Sequence, residues 1–402
     1  MRKLEKYVKH SEHGGWPVEI KAVPEGSWVE SQNILMSIRN TEPGFHWCVG
    51  FLESMLLKVW NSCTVATQSL RYKDLVMDYA RKTCDDLSHI PFAVHDFGYR
   101  GCSSEETAMV GGAAHLLNFM GSDTVVANKF IDTYYPGDHN GVLGLSVPAS
   151  EHSVMCSYEK EGEFDAIDHI LDTYPDGIVS IVSDTYNLWN VLENYPTERV
   201  LARDGKVVFR PDSGDPETII CGRAGYDHPD PAERGALNIL WERYGGTTNA
   251  KGYRVLNPKV GLIYGDGMHY DRFKSILSSM ESMGYASSNL VIGVGGLLLQ
   301  SHSRDDFGFA IKATRILRNG KAIEIFKDPI TDPGKKSKVG LMSLGRKGNG
   351  RYYTVDKTTP YGEAHGLLQT VYKDGELFNR QSFNDIRTNL EAHWNEYKLA
   401  RK

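Results

Sequence analysis

The chain is short of three things, and each shortage excludes something. No apolar stretch reaches the roughly 20 residues that a membrane helix needs, so no segment reads as a transmembrane span. Positive charge is not in excess: 45 Lys and Arg face 51 Asp and Glu, a net charge of −6. That balance argues against a nucleic-acid-binding surface, and any anionic ligand would need a local basic pocket. The six cysteines, Cys48, Cys63, Cys84, Cys102, Cys156 and Cys221, include no CxxC pair and no Cys/His set at zinc spacing. They are expected to be free thiols. The start, MRKLEKYVKHSEHGG, is positively charged but lacks an apolar h-region, which is not the pattern of a signal peptide. The expected location is the cytoplasm. Residues 1–15 are polar and expected to be mobile.

What the chain has is a repeated one-dimensional pattern. Short apolar runs end in clusters of Gly, Asp, Ser, His or Arg: PFAVHDFGYR (91–100), DTVVANKF (123–130), VLGLSVPASEH (142–152), GIVSIVSDTYN (177–187), KVVFRPDSG (206–214), KVGLIYGDG (259–267) and NLVIGVGGLL (289–298). Continuous apolar runs suit parallel strands buried on both faces. In an α/β barrel the strand ends converge on one mouth. That fold would make Arg100, Asp123, His152, Asp184, Arg210, Asp212, Asp266 and Gly295 neighbours. The segments between the runs read as helices, with a capping box at Ser103–Glu106 and apolar stripes in FDAIDHILDTYPDG and YDRFKSILSSMESMGY. Residues 222–256 read as a glycine-rich insertion around one helix, ALNILWERY.

Strand-like pieces also occur at both ends: VEIKAVPEG and ILMSIRNTEPG early, then FGFAIKATRIL, KAIEIFKDP, RYYTVDK and LLQTVYKDGEL late. Neither group alone makes a stable sheet. The expected fold is therefore α/β: an irregular α/β barrel of about seven strands over residues 85–304, plus a second α/β domain from residues 1–84 and 305–402.

Several constellations could carry chemistry. In RPDSGDP, alternation aims Arg210 and Asp212 the same way. A guanidinium grips phosphate in a fork, and a carboxylate two residues on can hold Mg²⁺ or ribose hydroxyls. An internal salt bridge plus a turn would explain the same residues. The late glycine loops GDG (Gly265–Gly267) and GVGG (Gly293–Gly296) suit a phosphate cradled on backbone N–H groups, or plain turns. GVGGLL is not a dinucleotide fingerprint, because its third glycine and the following acid are missing. His152 follows Glu151 just past a run, where a structural histidine is the plainer explanation and a barrel mouth the functional one. HDFGYRG joins Phe97, suited to a flat heterocycle, to the cation Arg100, suited to a polar substituent or phosphate. VSDTYN adds Ser183 and Asp184 as polar candidates, and Asp123 lies at a strand start or end that periodicity does not settle. Arg304, Lys312 and the lysines of KDPITDPGKKSK concentrate positive charge in an acidic chain. Together these pieces ask for a ligand with a phosphate, a second anionic group with metal, a sugar and a flat ring.

HDFGYRG with SSEETA, then GSDTV, SVPASEHS, VSDTYN, RPDSGDP, GDG, GVGGLLLQ, RDD and FKDPITDPGKKSK, with IKAVPEG and TVATQS before them, closely resemble the nicotinamide phosphoribosyltransferase family of type II phosphoribosyltransferases. The match in order and spacing covers roughly residues 15 to 385. The resemblance implies transfer of a phosphoribosyl group from 5-phosphoribosyl 1-pyrophosphate to nicotinamide, with Mg²⁺, in NAD salvage. It implies a homodimer with shared active sites. By motif, Phe97 would stack on the nicotinamide ring and Asp123 would accept from its carboxamide. Arg100 and Arg210 would contact the amide side, ribose or phosphates. Asp212 would bind ribose hydroxyls or metal pyrophosphate. His152 would be phosphorylated by ATP, and Gly265, Asp266, Gly295 and Gly296 would hold the ribose and 5-phosphate. Arg304 and Lys312 would reach phosphates across the dimer. The chemistry needs no strong base, since the ring nitrogen is already nucleophilic.

Three departures from the family pattern stand out. Nothing before Val18 matches the family's longer N-terminal segment, which supplies a stacking tyrosine and basic residues. Asn187 stands where the family has an acid, and Leu297 where it has a glycine. The alternatives are a nicotinate or other pyridine phosphoribosyltransferase, which the negative charge of Asp123 opposes, and a catalytically weak, N-terminally shortened homologue. An aldolase-type barrel is disfavoured, since no Schiff-base lysine stands at a strand end.

Overall fold

A strand buried on both faces can satisfy its backbone only by pairing on both edges, and five of the apolar runs do so in parallel. The computed structural model, which describes Glu5 and residues 14–137, 143–224 and 228–399, orders them Val94–Asp96, Leu290–Val294, Val260–Tyr264, Asp204–Arg210, Asp176–Val182. In register, Asp96 faces Val294, Tyr264 faces Ile292, Phe209 faces Leu262 and Val182 faces Arg210.

The outer edges of this sheet are joined by isolated parallel bridges: Asp96 to Ser122, Gly121 to Leu145, and Ala149 to Ser180. Asp96 N donates to Gly121 O (3.1 Å), Ser122 N to Leu145 O (3.0 Å), and Ser150 N to Ser180 O (2.9 Å). The five strands and these two bridging segments make a hydrogen-bonded ring, the irregular α/β barrel expected.

Two runs differ from their expected form: the described part of VLGLSVPASEH pairs only through single bridges at Leu145 and Ala149, and the other departs further. DTVVANKF is not a strand: the bridge lies just before it, at Gly121 and Ser122, and Val126–Tyr134 is a helix that buries Ala127 and Ile131. The spacing of four between those two residues is helical.

The chain forms two compact units. One comprises Met1–Asn61, Ile131–Asn140 and Ser303–Lys402, the other Ser62–Phe130 and Gly141–His302. In the first, Val18–Ala22 pairs antiparallel with both Met36–Asn40 and Gln369–Lys373, so strands from both ends share one sheet, while Arg315–Arg318 with Lys321–Glu324 and Ser343–Arg346 with Tyr352–Val355 form separate two-stranded sheets. The helix Phe383–Leu399 belongs to the same unit and buries Phe383, Ile386 and Leu390. The N-terminal stretch expected to be mobile lies, up to residue 13 and apart from Glu5, outside the described residues.

The second unit holds the barrel and the larger core. The helix Trp60–Thr83, grouped with the terminal strands by sequence, contributes Val65, Tyr72, Leu75, Val76 and Tyr79 to that core. Phe209, Tyr264 and Ile181 are fully buried between barrel and helices; truncating such a phenylalanine to alanine typically costs about 3–5 kcal/mol. In place of the capping box expected at Ser103–Glu106, Ser104 is a simple N-cap, its Oγ accepting from Thr107 N (3.2 Å) at the start of Glu105–His115; the third helical position holds Thr107 rather than an acid. None of the six cysteines forms a disulfide. Among the described residues no helix is long and apolar enough to cross a membrane.

A neutral histidine ties three of these elements together. His115 is fully buried; its Nδ1 accepts from Ser69 Oγ (2.9 Å) and its Nε2–H donates to Val94 O (3.2 Å), while its ring stacks on Phe119. Burial pushes its pKa down from 6.5 to about 3. The unfolded chain takes up a proton below 6.5 that the folded ring refuses, so this contribution to stability is complete above 6.5 and is lost as pH falls. In denaturant melts, the native chain should therefore lose stability relative to His115→Gln by about 1.4 kcal/mol per pH unit between about pH 6 and 4. Parallel pH profiles for the two proteins would contradict this.

Candidate functional site

The C-terminal ends of the parallel strands meet at one mouth, and glycines decide what fits there. Phe97 follows the strand Val94–Asp96, and its N–H donates to Val294 O (2.9 Å). Its ring occupies space that side chains on neighbouring strands would fill. A Cβ on Gly293 would lie 2.1 Å from the ring, and one on Gly265 3.0 Å from it and 3.2 Å from Asp212 Oδ1. Gly265 therefore separates an aromatic face from a carboxylate with no side chain between. His95 sets its ring against Phe97 (centroids 6.1 Å apart) in room left by Gly121.

The carboxylate side is a tight acidic cluster around a histidine. Asp184 Oδ2 accepts from Asp212 N (2.8 Å) and from Ser213 Oγ (2.5 Å), which locks the RPDSGDP turn to the loop after Asp176–Val182. The side chain of Asp184 is only 4% exposed, yet its Oδ1 is buried without a hydrogen-bond partner. His152 Nε2 lies 3.6 Å from Asp212 Oδ2 and 4.0 Å from Asp184 Oδ1, while its Nδ1 meets Thr185 Oγ1 (3.2 Å). Burial pushes the Asp212 carboxyl above its ordinary value; Arg210 opposes that rise, and Asp184 and Asp266 add to it. Burial and the same carboxylates also push the Tyr264 phenol up, and its O–H donates to Gly214 O (3.0 Å).

Among the described residues, Arg210 closes no ion pair with Asp212, the structural explanation that RPDSGDP allowed. Its Nη2 donates to Ser150 O (3.1 Å), and its buried Nε has no partner. Ser183 is turned inward: it is fully buried and its hydroxyl donates to Ile181 O (2.8 Å). Asn187 has a structural role, capping Leu188–Asn194 by accepting from Asn190 N (3.2 Å).

On the other side of Phe97, Asp123 is exposed, accepts from the Ser146 hydroxyl, and donates its backbone N–H to Asp96 O (2.9 Å). Arg100 is exposed in the single turn Tyr99–Gly101. That turn packs on the last glycine loop: a Cβ on Gly101 would come within 3.0 Å of Gly296 Cα, and Ser103 N donates to Gln300 Oε1 (3.0 Å). Gly295 and Gly296 open the short helix Gly296–Leu299, on which Leu297 is exposed. Asp266 is exposed beside Gly267, whose φ of +58° is strained for other residues.

Phe97, Arg100, Asp123, His152, Ser183, Asp184, Arg210, Asp212, Gly265, Asp266, Gly295 and Gly296 thus all belong to one unit, at the strand ends of the ring. Arg304 and Lys312 do not: both are exposed in the other unit, where Arg304 pairs with Asp305 (2.7 Å). Thr185, Ser146 and the buried Asp96 also shape the site, and sequence reasoning does not single them out, because each acts through a partner distant in the chain.

Among the described residues no three His, Cys, Asp or Glu side chains form a ready metal cage. Magnesium does not need one, since it is commonly held by one or two carboxylates plus substrate phosphates. The unpartnered Oδ1 of Asp184 and the carboxylate of Asp212 are the donors that fit such an ion.

The chain is similar to proteins of one family. Residues 92–376 match the model of the nicotinate phosphoribosyltransferase (NAPRTase) family. Nicotinamide phosphoribosyltransferase of Acinetobacter baylyi is 41% identical over 397 residues, covering 96% of this chain and 78% of that protein. The protein of that name from Xanthomonas campestris pv. campestris is 38% identical, covering 94% of this chain and 80% of that protein. Its namesake from Mycoplasma pneumoniae is 36% identical, covering 81% and 71%. With a family match across most of its length and relatives this similar, the chain belongs to the nicotinate phosphoribosyltransferase family.

Proposed function

We propose that this enzyme transfers the phosphoribosyl group of 5-phosphoribosyl 1-pyrophosphate to nicotinamide, yielding nicotinamide mononucleotide and pyrophosphate for NAD salvage. The observation that carries the reading is the shared wall at Gly265, which sets the Phe97 ring beside the Asp212 carboxylate with no side chain between. A flat base on Phe97 and a sugar phosphate at the acidic cluster would then meet at the sugar carbon. The relatives' name points to the amide as the base.

The lone pair of the pyridine nitrogen attacks the anomeric carbon as the carbon–oxygen bond to pyrophosphate breaks. Positive charge builds on the ribose, and the carboxylates of Asp184 and Asp212 favour it electrostatically. Asp212 also takes ribose hydroxyls. Arg210, with only Nη2 committed to Ser150, has further N–H groups for phosphate or the base amide. Arg100 lies on the base side. Gly265, Asp266, Gly295 and Gly296 offer ribose and 5-phosphate contacts through backbone that approaches closely. Mg²⁺, held by Asp212 and Asp184, would neutralise charge on the departing pyrophosphate.

Asp123 sets the choice of base. Its carboxylate accepts from a carboxamide N–H₂ and repels the carboxylate of nicotinate, which disfavours the nicotinate reading. ATP coupling through His152 belongs to the same proposal. Thr185 and the two aspartates fix the ring's orientation, as a phosphate-accepting histidine requires. We further expect a homodimer in which Arg304 and Lys312 reach phosphates of the other subunit's site, working in the cytoplasm.

Purified enzyme given the phosphoribosyl donor, Mg²⁺ and ATP should convert nicotinamide, and convert nicotinate far less well; a preference for nicotinate, or no product at high enzyme, refutes the reading. In Gly293→Ala the new methyl displaces the Phe97 ring, so the KM for nicotinamide should rise about tenfold or more. In Asp123→Asn, competition assays should show discrimination against nicotinate falling by about tenfold, because the repelling charge is gone.

A further inference from the structure

We propose that Asp96 is a positioning residue for the base subsite, its buried carboxylate joining the loop that carries Phe97 to the loop that carries Asp123. The inference rests on the phosphoribosyl-transfer function. Asp96 is fully buried at the end of Val94–Asp96. Oδ1 accepts from Gly98 N (2.7 Å), one residue beyond Phe97; Oδ2 accepts from Ser122 Oγ (3.5 Å), one residue before Asp123. Its main chain makes the same connection, donating to Gly121 O (3.1 Å) and accepting from Asp123 N (2.9 Å). Ser122 extends the link by accepting from Thr124 N (3.1 Å). Small residues form the cradle: a Cβ on Gly98 would lie 3.0 Å from Oδ1, and one on Gly112 3.3 Å from Oδ2.

This carboxylate is costly to the fold. Among the described residues no cation pairs with it, and burial with the nearby Asp123 charge pushes its pKa up to about 6. A neutral, well-packed side chain would be cheaper. Residues that break a folding rule without local compensation tend to serve function. Two services follow from its placement. It holds the stacking ring and the amide reader at a fixed separation. It also places a second negative charge behind Asp123, so that an acidic base meets two repulsions.

The test is steady-state kinetics on the full chain with both bases and the phosphoribosyl donor. In Asp96→Ala the KM for nicotinamide should rise about tenfold or more, while the KM for the donor, held by other loops, stays within about twofold. Asp96→Asn should recover most of that loss, since its amide oxygen can still accept from Gly98 N and its nitrogen can donate to Ser122 Oγ. It should still raise relative turnover of nicotinate by about threefold, because the charge is gone. Should Asp96→Ala fail to fold, Asp96→Asn and Ser122→Ala decide: a shifted base ratio in the first and a raised nicotinamide KM in the second support the proposal. Base and donor KM values rising together, or unshifted base ratio and KM in those two variants, overturn it. An unsubstituted enzyme that turns over neither base refutes the function, and the role of Asp96 with it; turnover by that enzyme, with the variants giving either overturning result, refutes the role of Asp96 alone.

Discussion

The whole site depends on how the ring of parallel segments closes. On one side five strands pair over several residues; on the other the circuit is completed by single backbone bridges, Asp96 to Ser122, Gly121 to Leu145 and Ala149 to Ser180. A bridge of one residue satisfies the strand edges without committing its neighbours to strand geometry. Asp123, Ser146 and His152 each lie just past a bridge and are free to turn into the mouth. Were these segments regular strands, alternation would send every second side chain into the barrel wall. The irregular half of the ring carries Asp123, Ser146 and His152, and the regular half carries Asp184, Asp212, Asp266 and the glycines Gly265, Gly293 and Gly295.

Charge organises what the ring gathers. Asp184 and Asp212 flank His152, and the Asp212 carboxyl is pushed up chiefly by burial, with Asp184 and Asp266 adding to the rise. Such clusters cost stability and recur where charge must be met during reaction. The hydrogen bonds that keep the cluster ordered come mainly from backbone and short side chains: Asp212 N and Ser213 Oγ to Asp184, Thr185 to His152. Long flexible partners would cost more entropy to fix in place. Arg210 is the long side chain in this group, and the Ser150 carbonyl anchors it.

Much of this is legible in the chain. The runs IVSIV, VVF, VGLIY and LVIGV are apolar apart from one serine and two glycines, and each forms a strand of the barrel. The polar residues that end them meet at the mouth. DTVVANKF misleads because a short apolar run carries no period of its own; the helical face that Ala127 begins is completed by Ile131, which lies one residue beyond the run. Phe97 stands out as an aromatic near a cation, but the glycines that make room for its ring are far away in sequence, so Gly293 reads there as turn chemistry. Asp96 is hidden for a related reason: its partners Ser122 and Asp123 become neighbours only through the ring. Asn187 carries a readable signal as a helix cap, since it directly precedes LWNVLEN. Arg304 and Lys312 come after the last barrel segment in sequence, yet they fold with the terminal strands.

The pairing of Val94–Asp96 with Leu290–Val294 has a consequence for biosynthesis. The segment bearing Phe97 leaves the ribosome long before the strand that gives it an edge, because Asp96 is in register with Val294. The terminal sheet poses the same problem more severely, since Glu19 waits for Lys373. Pairings so remote make folding slow and leave apolar segments exposed during translation. Both halves of the molecule are therefore completed only by late-made sequence, and a stalled or prematurely released nascent chain would hold unpaired strands, a natural client for chaperones and proteases rather than a partly working catalyst.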